Sequence, residues 1–162
     1  AGSERDLRNF NISRIVFCQE SDGVMSFADD PSFKYLPFPI GTWRDGKYSM
    51  KGMSGKEVGW HDGAFHGDVI ATPESVLTFF APLFEFVDAE INAGNNVLIH
   101  CLAGAHRAGS AGIACLMHLR GFDFTTAKDI AKAARPAIDP IGGFPTLLTA
   151  LEKALSEDPT LS

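Results

Sequence analysis

The chain has 162 residues, 45% of them hydrophobic and 21% charged, which suits a single globular domain over 1–162 with its own core. A formal net charge of −6, with no run of Lys or Arg, argues against tracking nucleic-acid backbones or anionic membranes. No apolar run approaches the ~20 residues of a membrane span, no secretory signal is seen, and three cysteines without paired spacing point to a reducing, cytoplasmic setting.

The opening Ala1-Gly2-Ser3 reads as an expression scar, which leaves room for a targeting peptide cut away before it. "SRIVFC" (13–18) is apolar and β-branched, the pattern of a strand. "FKYLPFPI" (33–40) is a second strand, its two prolines suiting an edge or an end. Residues 41–71 are Gly-rich and polar, with Trp43 and Trp60 among them, and read as a long loop. The two tryptophans are expected to pack rather than to meet a ligand. Thr72, Pro73 and Glu74 then make a helix start, and the helix runs to about Asn92 with Pro82 expected to kink it. "VLIH" (97–100) is short and continuously apolar, as in a buried parallel strand. Helices follow through "AGSAGIACLMHL", through "TTAKDIAKAAR" up to Pro136, and from about Pro145 to Leu155. Strands alternating with helices give an α/β class, in which ligands gather at the carboxyl ends of strands.

That rule directs attention to "HCLAGAHRAGS" (100–110). Cys101 ends a buried strand and a helix begins near Arg107. The small residues between, Ala103, Gly104 and Ala105, allow successive N–H groups to turn inward as an anion-binding nest. The helix start adds unpaired N–H groups and a positive dipole end, and Arg107 adds a planar fork that matches two phosphate oxygens. The same field is expected to lower the Cys101 thiol pKa. A nucleophile inside such a cradle points to phosphoryl transfer through a phosphocysteine. Cys115, inside an apolar helix, reads as core. His61, Asp62, His66 and Asp68 would suit a metal, but a cysteine mechanism is already in place, and no metal or cofactor is expected.

His-Cys, five residues, then Arg resembles the signature of cysteine-dependent protein tyrosine phosphatases. "VLIHCLAGAHRAGSAGIACLMHLRG", "FFAPLFEFVDAEINAG" and "AARPAIDPIGGFPTLLTALEKAL" resemble the dual-specificity branch, the likeness covering about 10–156. The resemblance implies a twisted mixed sheet of about five strands with helices on both faces, the usual N-terminal strand missing or shortened. It assigns Cys101 as nucleophile, Leu102, Ala103, Gly104, Ala105, His106 and Arg107 as the phosphate-binding loop, and His100 as the residue that orients it. It also demands an Asp as general acid on a loop before the long helix. Asp68 ranks first, then Asp62 in "WHDG" and Asp45 in "WRDG".

Two departures stand out. The family places Ser or Thr directly after the Arg, where this chain has Ala108, and Ser110 is the next hydroxyl. Glucan phosphatases of the same superfamily carry Ala there and resemble "VFCQESDG" as well. The loop also lacks lysine, which lowers phosphoinositides as a substrate class. In several relatives a cysteine at the end of the first strand bridges to the nucleophile, and "VFC" puts Cys18 in that place as a redox partner. The expectation is a phosphatase acting on phosphotyrosine and phosphoserine or phosphothreonine in proteins. A glucan phosphatase using Trp43, Trp60 or Phe27 to stack on sugar, or a phospho-binding pseudophosphatase, stands as the alternative. Oligomeric state is left open.

Overall fold

The computed structural model describes residues 3–19, 25–43 and 72–157. The elements in chain order are α1 (Glu4–Asn9), β1 (Ile12–Phe17), β2 (Lys34–Pro37), a 3-10 turn (Ile40–Thr42), α2 (Pro73–Asn92), β3 (Asn96–His100), α3 (Arg107–Arg120), α4 (Phe124–Ala134) and α5 (Phe144–Glu157). Among the described residues the sheet has three strands in the order β2-β1-β3, all parallel, rather than the mixed five expected. Ile15 pairs with Tyr35 on one side and with Leu98 on the other. The second strand is shorter than the predicted 33–40, because Pro37 and Pro39 bring no N–H to the ladder, and the chain turns at Ile40 instead.

Alternation along β1 sorts the two faces. Val16 enters the main core with Phe80, Leu83, Ile113, Leu147 and Leu151 from α2, α3 and α5. Ile15, one residue away, enters a smaller cluster with Leu7 of α1 and Phe33. Helices therefore cover both faces, and the class is α/β as expected. Among the described residues, helix α1 and no strand precedes β1, where the family resemblance expected a strand missing or shortened. Its N-cap is Ser3, whose hydroxyl accepts from the Asp6 amide at 3.2 Å, so the third residue of the supposed scar belongs to the fold.

Helix α2 begins as read, with a capping box between Thr72 and Ser75 and Pro73 in the first turn, and it runs through Pro82 to Asn92. Its last turn carries Glu90, a buried carboxylate. Arg14 and Lys34 are register partners on β1 and β2, two like charges side by side. Glu90 accepts from Lys34 Nζ, from Arg14 Nε at 2.7 Å and from Asn95 Nδ2 at 2.8 Å, and so ties α2 to both strands. The bonds from Lys34 and Arg14 hold its carboxyl at about 2, against burial, which pushes the other way.

A carboxyl with a lowered pKa stabilises the fold above its unfolded value and loses that contribution as pH falls toward the folded value. Stability should drop between about pH 5 and pH 2 on this account. Urea unfolding at several pH values should show Glu90→Gln less stable than wild type at neutral pH and flatter across that acid range. Parallel acid limbs in the two proteins would remove Glu90 as the cause.

Candidate active site

Strand β3 delivers Cys101 to the carboxyl edge of the sheet. The β1–β3 ladder continues past the strand ends, where the Cys18 amide donates to His100 O at 2.8 Å. Phe17 is the register partner of His100, and their rings lie 5.1 Å apart. The His100 imidazole is half-buried. Burial holds it below the usual histidine range, while its bond to the Cys101 backbone acts in the opposite sense.

The chain then turns through 101–106. Gly104 has φ +68, the left-handed region that a side chain disfavours. Its amide donates to Cys101 Sγ at 3.3 Å, so the loop curls over the sulfur. Helix α3 starts at Arg107, with His106 as its N-cap residue. The first-turn amides and the positive end of the helix thereby face the loop region, as an anion site requires. Leu102 is 77% exposed, so what it offers the cradle is backbone. Ala108 is buried in the first turn of α3. The buried Ser110 donates to His106 O at 2.7 Å, which commits its proton to the helix backbone rather than to the cysteine.

Three contacts absent from the sequence reading back the loop. Arg135 Nη2 donates to Ala103 O at 3.3 Å, Arg135 Nε donates to Gly104 O at 3.4 Å, and the Asp139 amide donates to Ala105 O at 3.2 Å. A fourth joins His106 Nδ1 to Asp139 O. The stretch "AARPAIDP" carries a family resemblance in the sequence but no sign of these contacts, because their acceptors are backbone carbonyls. Ile138 anchors this segment by packing on α3, where Gly109 leaves it room.

Asp45, Asp62, Asp68 and Trp60 lie outside the described residues. Trp43 is 8% exposed and packs on Gly143, where an added Cβ would come within 2.8 Å of its ring. Phe27 packs on Phe33 with centroids 5.3 Å apart. The buried Trp43 is not presented for stacking on a sugar, whereas Phe27 is only partly buried. Cys115 is buried as expected, and burial, with the Asp88 charge, pushes its thiol up to about 12. The three cysteines are unbridged, with Cys18 fully buried and Cys101 half-buried.

The family model "dual specificity phosphatase, catalytic domain" matches residues 42–154. The chain belongs to the dual-specificity phosphatase family. It is similar to dual specificity protein phosphatase 19 of Mus musculus, 39% identical over 77 residues, which are 47% of this chain and 35% of that one. It is also similar to dual specificity protein phosphatase 1B of Arabidopsis thaliana, 32% identical over 89 residues, 54% of this chain and 53% of that one. The chain thus matches between about a third and about half of the length of these curated relatives. The crystal structure of human DUSP28 shares the fold, with a TM-score of 0.66 and 21% identity, over 96% of this chain and 84% of that one. No described helix is long and apolar enough to cross a membrane.

The packing of Ile138 on α3 can be tested directly. A Cβ at Gly109 would stand 2.9 Å from Ile138 Cγ2, whereas one at Gly112 would meet nothing within 4 Å. Gly109→Ala should destabilise the protein by about 1–3 kcal/mol through overpacking. Gly112→Ala should be neutral or stabilising by about 0.4–1 kcal/mol. Urea unfolding of the two variants side by side checks both signs.

Proposed function

We propose that this dual-specificity phosphatase domain hydrolyses phosphotyrosine and phosphoserine or phosphothreonine in proteins through a phosphocysteine. The observation that carries this is the Gly104 amide directed at Cys101 Sγ inside a loop that ends at the first turn of α3. That donor holds the loop over the sulfur, and the helix end and Arg107 favour the phosphate that it attacks.

In the first step Cys101 Sγ forms the S–P bond as the P–O bond to the substrate breaks. The departing oxygen takes a proton from an aspartic acid, with Asp68 as first candidate and Asp62 and Asp45 behind it. Water then attacks phosphorus and gives its proton to that carboxylate, and the thiolate leaves with its electron pair. Loop amides and Arg107 hold the equatorial oxygens throughout. His100 orients the cradle by its bond to the Cys101 backbone. Ala108 offers no hydroxyl to the departing thiolate, so the second step proceeds without that help. The buried Trp43 is one fewer ring for a glucan to stack on.

One preparation should hydrolyse phosphotyrosine and phosphothreonine peptides and leave phosphorylated amylopectin nearly untouched; the reverse order of rates would make it a glucan phosphatase. Cys101→Ser should abolish turnover yet still bind tungstate. Asp68→Asn should slow phosphotyrosine peptide by about 10²–10⁴-fold and activated aryl phosphates far less. The same pattern in Asp62→Asn or Asp45→Asn, with Asp68→Asn near wild type, would move the acid there.

Cys18 serves in this reading as the resolving thiol. The register ends at Phe17 and His100, and one residue on the Cys18 amide donates to His100 O at 2.8 Å, so Cys18 and Cys101 each follow the end of one of two neighbouring strands ~4.8 Å apart, the spacing from which a disulfide can form. Peroxide takes Cys101 to a sulfenic acid, and the Cys18 thiol displaces water from it to form the disulfide. After mild peroxide and then reductant, wild type should recover its activity and Cys18→Ser should not. Equal recovery would leave Cys18 a packing residue.

A further inference from the structure

A peptide unit is a rigid trans plane, so its carbonyl and its N–H point in opposite directions. Whatever fixes the oxygen therefore fixes the hydrogen. Ala103 O, Gly104 O and Ala105 O are all held by one short segment, through Arg135 Nη2, Arg135 Nε and the Asp139 amide. The opposite ends of those three planes are the N–H groups of Gly104, Ala105 and His106. The first of them donates to Cys101 Sγ at 3.3 Å, on the face of the loop away from Arg135. The other two are turned from the segment in the same manner.

Aligned amides repel one another, because their positive ends converge. Without an anion in place, nothing inside the loop favours that alignment. A cation at the carbonyl side does: the guanidinium fork spans two successive oxygens and sits at the negative ends of their dipoles. The loop is cut to receive it. An added Cβ on Gly104 would lie 3.2 Å from Arg135 Nη2, so the absence of a side chain lets the fork rest on the backbone. The segment is itself held in place by Ile138 against α3 and by His106 against Asp139 O.

We infer that residues 135–139 are a template that aims the amides of the phosphate loop at the anion, and that Arg135 is its positioning residue. This rests on the reading of 101–107 as a phosphate cradle. Arg135 touches no reacting atom and acts through the two carbonyls. It is also exposed, so its ties add little to global stability. Anion affinity should therefore suffer while the fold does not.

The test compares wild type, Arg135→Ala, Arg135→Met and Arg135→Lys by calorimetric titration with tungstate, by kcat and KM on an activated aryl phosphate, and by thermal melting. Arg135→Ala should weaken tungstate by about tenfold, the worth of one charge-assisted hydrogen bond. KM should rise by a similar factor, with the melting temperature held. Arg135→Met keeps the length without a donor and should match it, which covers an alanine variant that melts early. Arg135→Lys should recover only part of the loss, since an ammonium cannot straddle both oxygens. Wild-type tungstate affinity in the Ala or Met variant would overturn the positioning role while leaving the cradle intact. A wild type that neither binds tungstate nor turns over would instead sink the reading of the loop itself.

Discussion

Parallel pairing of β1 with β3 is the constraint on which the rest of the molecule depends. Parallel neighbours cannot be joined by a hairpin, so each return to the sheet needs a long crossover, and α2 supplies the one before β3. All described strands consequently end at the same edge. That edge collects Cys18, Phe38 and Cys101, and the next element to leave it is α3. A nucleophile placed there is flanked by a neighbouring strand end on one side and a helix start on the other, with no further arrangement required.

The cradle is assembled from three parts that are far apart in the chain. Strand β3 supplies the sulfur, α3 supplies the positive helix end, and the segment after α4 supplies donors for the outward carbonyls. Each part is fixed by packing elsewhere: β3 by the sheet, α3 by the main core, and the third by Ile138 in the space at Gly109. Glu90 plays a comparable part at the other end of the sheet. There a single carboxylate reconciles the register-paired Arg14 and Lys34 and locks α2 across both strands.

Much of this was legible in the sequence because the signals were local. The cap at Thr72 and Pro73, the apolar run 97–100, and the order Cys101, small residues, Arg107 each depend on a few adjacent residues, and each stands where it was read. Helix α1 was missed because Ser3 was discounted along with its neighbours, although Glu4 and Asp6 make an ordinary first turn behind it. The end of β2 was placed too late, since apolar composition was weighed above the missing amides of Pro37 and Pro39. Arg135 was invisible for a different reason: its partners are carbonyls 31 and 32 residues away, and a backbone oxygen leaves no mark in a sequence. The choice among Asp45, Asp62 and Asp68 rests on spacing and resemblance, since all three lie outside the described residues.

The three sulfurs fall into two levels of access. Cys18 is sealed at the end of β1, Cys115 is sealed inside α3 with its thiol pushed up to about 12, and Cys101 opens to solvent at the strand edge. A bulky thiol reagent added to the native chain thus meets one sulfur, and added to the unfolded chain it meets three. The molecule carries its own stoichiometric gauge of unfolding, readable without any label, and the first equivalent consumed reports on the nucleophile alone.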